Sequence, residues 1–98
     1  MRFRFRTTKL RALYKNNAGA SKFPAAVVDA FFRRMYTIRD AADERDLYAF
    51  KTLHFERLKG QRAGQHSIRL KDQYRLILTI EEDEQGKYLQ IVEIADYH

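Results

Sequence analysis

The chain has 98 residues, 19 Lys+Arg against 13 Asp+Glu for a formal net charge of +6, and no cysteine. That length suits one small domain spanning residues 1–98, and the missing cysteines exclude a disulfide scaffold, a thiolate zinc site and a cysteine nucleophile. No apolar run approaches the roughly 18 to 20 residues that span a bilayer, and Met1–Arg6 alternates where a signal peptide would be continuously apolar, so a soluble, cytoplasmic protein without membrane association is expected.

Phe3 and Phe5 alternate with Arg2, Arg4 and Arg6, the period-2 pattern of a short half-buried strand whose arginine face turns to solvent or to a ligand. Thr7 or Thr8 suits the cap of a short helix carrying Leu10, Leu13 and Tyr14, which Asn16-Asn17-Ala18-Gly19 stops. Pro24 belongs in the first turn of a second helix. There Val28, Phe31, Phe32, Met35 and Ile38 form one apolar stripe and Arg33, Arg34 and Arg39 lie opposite. Asp40–Glu44 ends that helix, and Leu47, Tyr48, Phe50 and Leu53 read as apolar anchors of a connection with no regular structure beyond a possible helical turn.

From His66 onward the residues alternate. Ile68 and Leu70 share a face with Tyr74, Leu76, Leu78 and Ile80, which favours a three-residue turn, Lys71-Asp72-Gln73, pairing Leu70 with Tyr74, Arg69 with Arg75 and Ile68 with Leu76. A second hairpin turns through the acidic tip Glu81–Lys87, whose carboxylates lack calcium-loop spacing. It returns with Tyr88, Gln90, Val92 and Ile94 opposed to Leu89, Ile91 and Glu93. The order strand, helix, helix, three strands predicts an α+β fold with two helices on one face of an antiparallel sheet, the first strand joining that sheet.

Charge is unevenly spread. Residues 1–39 hold ten basic side chains and one acid, a net +9, whereas residues 40–98 carry −3. Such asymmetry suits a polyanion, through counterion release, or an acidic protein; solubility alone is the plainer account.

Across the first hairpin Arg69 and Arg75 face one another, a like-charge pair that calls for a phosphate or for a carboxylate such as Asp96 or Glu93. Upstream, Leu58-Lys59-Gly60-Gln61-Arg62-Ala63-Gly64 is a basic loop that delivers Lys59 and Arg62 to the same sheet. The chain closes on Asp96-Tyr97-His98, which is either a frayed terminus or a set of proton-exchanging groups. His54 and His66 show no metal spacing, and no metal or cofactor is expected.

Leu58-Lys59-Gly60, Arg62 and Gly64, Ser67-Ile68-Arg69-Leu70, Gln73-Tyr74-Arg75-Leu76 and the ending Asp96-Tyr97-His98 together resemble the HigB-like toxins of the RelE/ParE superfamily. The resemblance lies in the C-terminal half; the first half matches in length and element order. It implies a type II toxin–antitoxin toxin that cleaves messenger RNA on the ribosome, without metal, by attack of the ribose 2′-OH on the adjacent phosphorus. It also implies neutralisation by a cognate HigA-like antitoxin with a helix-turn-helix domain. Lys59, Arg75, Asp96, Tyr97 and His98 fall at the family's catalytic positions, and Arg69 where some relatives keep a basic catalytic residue. In that scheme Arg75 and Lys59 stabilise the phosphorane, His98 moves a proton, Asp96 orients it and Tyr97 positions phosphate or stacks on a base. Family members often place a histidine three residues before the loop lysine. Here Glu56 stands there and His54 lies two residues earlier, so either His54 reaches the site, Glu56 replaces it, or the function is absent. Arg2, Arg4, Arg6, Arg33, Arg34 and Arg62 are the expected contacts to RNA or ribosome. The superfamily's ParE-like branch, which inhibits DNA gyrase without cleaving RNA, and a non-catalytic nucleic-acid-binding module are the alternatives.

Overall fold

The computed structural model describes residues 1–97; His98 lies outside them. Strand β1 (Phe3–Phe5) leads into helix α1 (Thr8–Asn16). Thr7 caps α1 from an extended backbone, its Oγ1 accepting from the Leu10 N–H at 3.2 Å, and Asn17 ends it in the left-handed region at φ 57°. Helix α2 (Ala25–Asp40) starts one residue later than expected, with Pro24 as its N-cap rather than inside its first turn. Val28, Phe31, Met35 and Ile38 of its predicted stripe are buried and Phe32 is partly so, and Val27 and Ala30 widen it.

Residues 44–53 are more ordered than the sequence suggested. They form helix α3 (Glu44–Ala49), capped by Asp43 Oδ1 on the Arg45 N–H at 2.9 Å, and a 3-10 turn over Lys51–Leu53. Leu47 and Leu53 are the buried anchors, whereas Tyr48 and Phe50 are exposed. A six-residue helix has no visible periodicity; its order comes from the cap and from burying Leu47.

Strands β2 (Glu56–Arg57), β3 (His66–Lys71), β4 (Tyr74–Asp83) and β5 (Gly86–Asp96) complete one sheet in the order β1-β5-β4-β3-β2. β1 runs parallel to β5 and the other neighbours are antiparallel. The two-residue edge strand β2 was not anticipated, being too short to show alternation.

Between β3 and β4 the pairs Arg69–Arg75 and Ile68–Leu76 form as expected, but Lys71 pairs with Tyr74 and Leu70 is the extra residue of a bulge. The turn is therefore the two residues Asp72-Gln73, with Asp72 taking the left-handed backbone at φ 52° that aspartate tolerates. The bulge keeps Leu70 on the buried face despite the shorter turn. A second bulge, at Val92, corrects the predicted faces of β5: Ile77 pairs with Glu93 and Leu78 with Ile91, so Ile94 joins Leu89 and Ile91, and Glu93 joins Val92. The acidic tip is also shorter, because Glu81, Glu82, Asp83 and Lys87 are ladder residues. Only Glu84-Gln85 turn, with Gly86 at φ 108° supplying the backbone they need.

Phe31, Met35 and Ile38 of α2 and Leu47 of α3 share one buried cluster with Ile68, Leu76, Leu78, Leu89 and Ile91 of the sheet. Each such side chain contributes about 1.5–3 kcal/mol on burial, which fixes the side the helices cover and leaves the other side of β2–β5 for function.

Candidate active site

Strand alternation sends Glu56, Ser67, Arg69, Arg75, Ile77, Thr79, Glu93 and Ala95 to the face away from the helices. At its centre Ile77, Val92 and Ala95 form a small buried cluster, which Leu58 covers from the loop after β2. Arg75 stands beside this cluster with its side chain 25% exposed, its NH1 buried and without a hydrogen-bond partner. Glu56 Oε1 lies 3.7 Å from that nitrogen, a salt bridge too long for a hydrogen bond. The carboxylate that accompanies the Arg69–Arg75 pair is thus Glu56 from the edge strand; Glu93 is engaged elsewhere.

Arg62 takes Glu93. Its NH2 donates to Glu93 Oε1 at 2.7 Å, its NH1 donates to Gln65 Oε1 at 3.0 Å, and its guanidinium lies 5.7 Å from the centre of the Tyr97 ring. One arginine therefore pins the 58–65 loop to β5 and to the chain's last described residue. The Leu58 N–H to Gln65 carbonyl bond, 2.9 Å, closes the loop at its base. Gly60 and Gly64, at φ 67° and 91°, make the reversals on either side of Arg62. Lys59 sits exposed on extended backbone at the start of this loop and joins no ion pair among the described residues. Tyr97 is tied back by its N–H to the Gln73 carbonyl at 3.0 Å, which extends the ladder past β5 to the hairpin turn.

Other predicted residues lie apart. Asp96 pairs in register with Tyr74, so alternation directs it to the helical side. His54 ends the 3-10 turn in the left-handed region at φ 48°, exposed and just before β2. His98 is outside the described residues.

Arg34 faces inward more than expected. Its Nε donates to the Arg69 carbonyl at 3.0 Å and its NH2 to the Thr52 carbonyl at 3.4 Å, and burial, with Arg33 and Arg69 nearby, lowers its pKa. Arg33 and Arg6 are exposed. Arg2 and Arg4 converge on Asp83: Arg2 makes a two-pronged pair at 2.7 and 3.0 Å, Arg4 adds a bond at 3.1 Å, and both guanidinium groups lie over Tyr88. These pairs, led by the Arg2 bond, hold the Asp83 carboxyl down to about 2. Ser67, part of a motif but not singled out as a site residue, is fully buried beside Ile77, and its Oγ has no hydrogen-bond partner among the described residues. Its place between His66 and Ile68 at the start of a strand was its only available signal.

The sequence and the fold both have relatives. Toxin HigB-1 of Vibrio cholerae serotype O1 is 32% identical over 77 residues, covering 79% of this chain and 81% of that protein. The fold is similar to a YoeB/ParE toxin from Agrobacterium tumefaciens, with TM-score 0.61 at 15% identity over the whole of both chains. It is also similar to the YoeB-YefM complex from Staphylococcus aureus, with TM-score 0.58 at 18% identity over 100% of this chain and 97% of that one. A family model described as the RelE-like toxin of type II toxin-antitoxin system HigB matches residues 3–98, so β1 through the basic loop and the strands that hold Arg69 and Arg75 all fall within it: the chain belongs to the HigB-like toxin family.

Proposed function

We propose that the chain is an endoribonuclease that cuts messenger RNA on the translating ribosome, using its own side chains and no metal. The observation that carries this reading is Arg75, with NH1 buried and making no hydrogen bond, directly across from Arg69 and in a long, 3.7 Å ion pair with the Glu56 carboxylate. Unpaired buried donors are costly, and a phosphate oxygen would satisfy this one. Attack by a ribose 2′-O on phosphorus forms the 2′,3′-cyclic phosphate and breaks the bond to O5′. Glu56 takes the 2′-OH proton, and His98, the residue after Tyr97, gives one to the departing O5′. Arg75, Arg69 and Lys59 meet the charge that builds on the phosphorane oxygens. Tyr97, held by Arg62, offers a ring to a flanking base.

The partner is proposed to be a HigA-like antitoxin with a helix-turn-helix domain; the similar YoeB fold from Staphylococcus aureus is itself found in a complex with YefM. Exposed Arg6 and Arg33 leave cationic ground for an acidic segment or for ribosomal RNA. Co-expression with its genetic neighbour is expected to yield a stable pair.

Induction from a tight promoter should stop growth and leave transcripts with new 5′ ends inside reading frames. Glu56→Gln and His98→Gln should each lower the cleavage rate a hundredfold or more while the protein stays folded. Arrest with intact transcripts, together with inhibition of gyrase supercoiling by the purified protein, would overturn the nuclease reading.

A further inference from the structure

A groove of about 700 Å³ lies across the β2 edge from the reactive face, lined by Tyr48, Arg57, Leu58, His66 and the ion-paired Glu44 and Lys87. Its features are unusual for plain surface. Tyr48 is 52% exposed although its ring stands edge-on to Phe55 at 4.6 Å, and Phe55 in turn stacks on His66 at 5.0 Å and 15°. An aromatic column thus ends in an open ring. Arg57 joins no ion pair among the described residues. His66 is only 6% exposed, and its Nδ1 is buried with no hydrogen-bond partner among the described residues. Burial, and secondly Arg57, lower its pKa.

We propose that this groove is a nucleotide subsite for single-stranded RNA, in which a base stacks on Tyr48 and leaves its phosphate at Arg57. The opposed charges of Glu44 and Lys87 cancel, so Arg57 supplies the groove's net charge. Affinity must therefore come chiefly from the open ring of Tyr48, which suits a base better than an acidic peptide. Connection to the reactive face is direct. Glu56 and Arg57 are consecutive on the edge strand and point to opposite faces, and Leu58 both lines the groove and packs on Ile77, Val92 and Ala95. A strand held at Arg75 reaches the groove by crossing one edge strand, so the base concerned is a near neighbour of the scissile phosphate.

This subsite rests on the ribonuclease reading, and one set of experiments separates the two. With full-length protein and ribosomes carrying a single message, Tyr48→Ala and Arg57→Gln should each raise KM about tenfold while kcat holds. Tyr48→Phe, which keeps the ring, should restore the wild-type value. Unchanged KM in both variants, with cutting intact, overturns the subsite and spares the nuclease; so does a fall in kcat and melting temperature without a rise in KM. If wild-type protein cuts nothing, the nuclease reading fails alone. Titration of amide resonances with a short single-stranded oligoribonucleotide then decides: saturable shifts at Tyr48, Arg57 and His66 uphold the subsite, and their absence overturns it. Loss of a co-purifying protein from Tyr48→Ala, with RNA kinetics unchanged, would assign the groove to that protein and overturn the proposal.

Discussion

The two faces of this sheet are made by alternate residues of the same strands. On the helical side, Ile68, Leu76, Leu78, Leu89 and Ile91 are fully buried against α2 and α3. On the other side the apolar patch shrinks to Ile77, Val92 and Ala95 under Leu58, and the polar atoms around it, Ser67 Oγ, Arg75 NH1 and Thr79 Oγ1, are buried without hydrogen-bond partners among the described residues. On the helical side His66 Nδ1 alone, at the β2 edge, is in that state among the described residues, and an unpaired buried donor costs about 1–3 kcal/mol. Leaving three such atoms together suggests a face shaped to receive something polar. Stability and proposed chemistry are thereby separated by the thickness of one sheet.

Substitutions should divide along that line. Phe31→Ala, at a fully buried position of α2, should cost about 3–5 kcal/mol and unfold much of the protein at modest urea, as circular dichroism would show. Arg75→Ala should do the opposite. Cleavage on ribosomes should fall a hundredfold or more, about 3–4 kcal/mol of lost transition-state stabilisation, while the urea midpoint stays near wild type; a large loss of stability would mean that the open face is part of the core after all. Between these extremes, Arg34→Ala removes a charged donor from the Arg69 and Thr52 carbonyls. Its half-exposed position puts the loss near the low end of such bonds, about 1.5 kcal/mol, and it should lower both the melting temperature and kcat because it frees the β3 bulge beside Arg69. Thr7→Ala should cost about 1 kcal/mol through the lost α1 cap and leave kcat untouched.

The smallest effect expected is at Asp83. Its carboxyl is held to about 2 against an ordinary 3.8, so the stability it contributes is present above 3.8 and lost as pH falls toward 2. Asp83→Asn should flatten the melting-temperature curve over that window, and salt should mute the difference because the Arg2 and Arg4 pairs are open to solvent.

Elements with a repeating pattern were legible before the structure. α1 and α2 follow from apolar spacing and from Thr7 and Pro24, and the Arg69–Arg75 and Ile68–Leu76 pairs from keeping one face apolar. The Leu70 and Val92 bulges were not, since no residue type marks which position drops out of the ladder, and the side chains beyond it change face. At the candidate site, Lys59, Arg69 and Arg75 stand out as residues in a family-like order. Their surroundings do not: Glu56 reaches Arg75 through a two-residue edge strand, and Arg62 meets Glu93 across 31 positions of sequence.

The excess of positive charge in residues 1–39 was a property of the sequence alone, but its availability was not. Asp83, contributed by the far end of β4, takes up Arg2 and Arg4, and the Arg69 carbonyl takes up Arg34. Composition, periodicity and an ordered set of motifs therefore determined the class of fold, the family resemblance and the cations that chemistry would need. Which cations remain open, which carboxylate stands beside Arg75 and where an aromatic groove meets the reactive face were decided by tertiary structure, because each depends on residues far apart in sequence brought together by strand order and by two bulges.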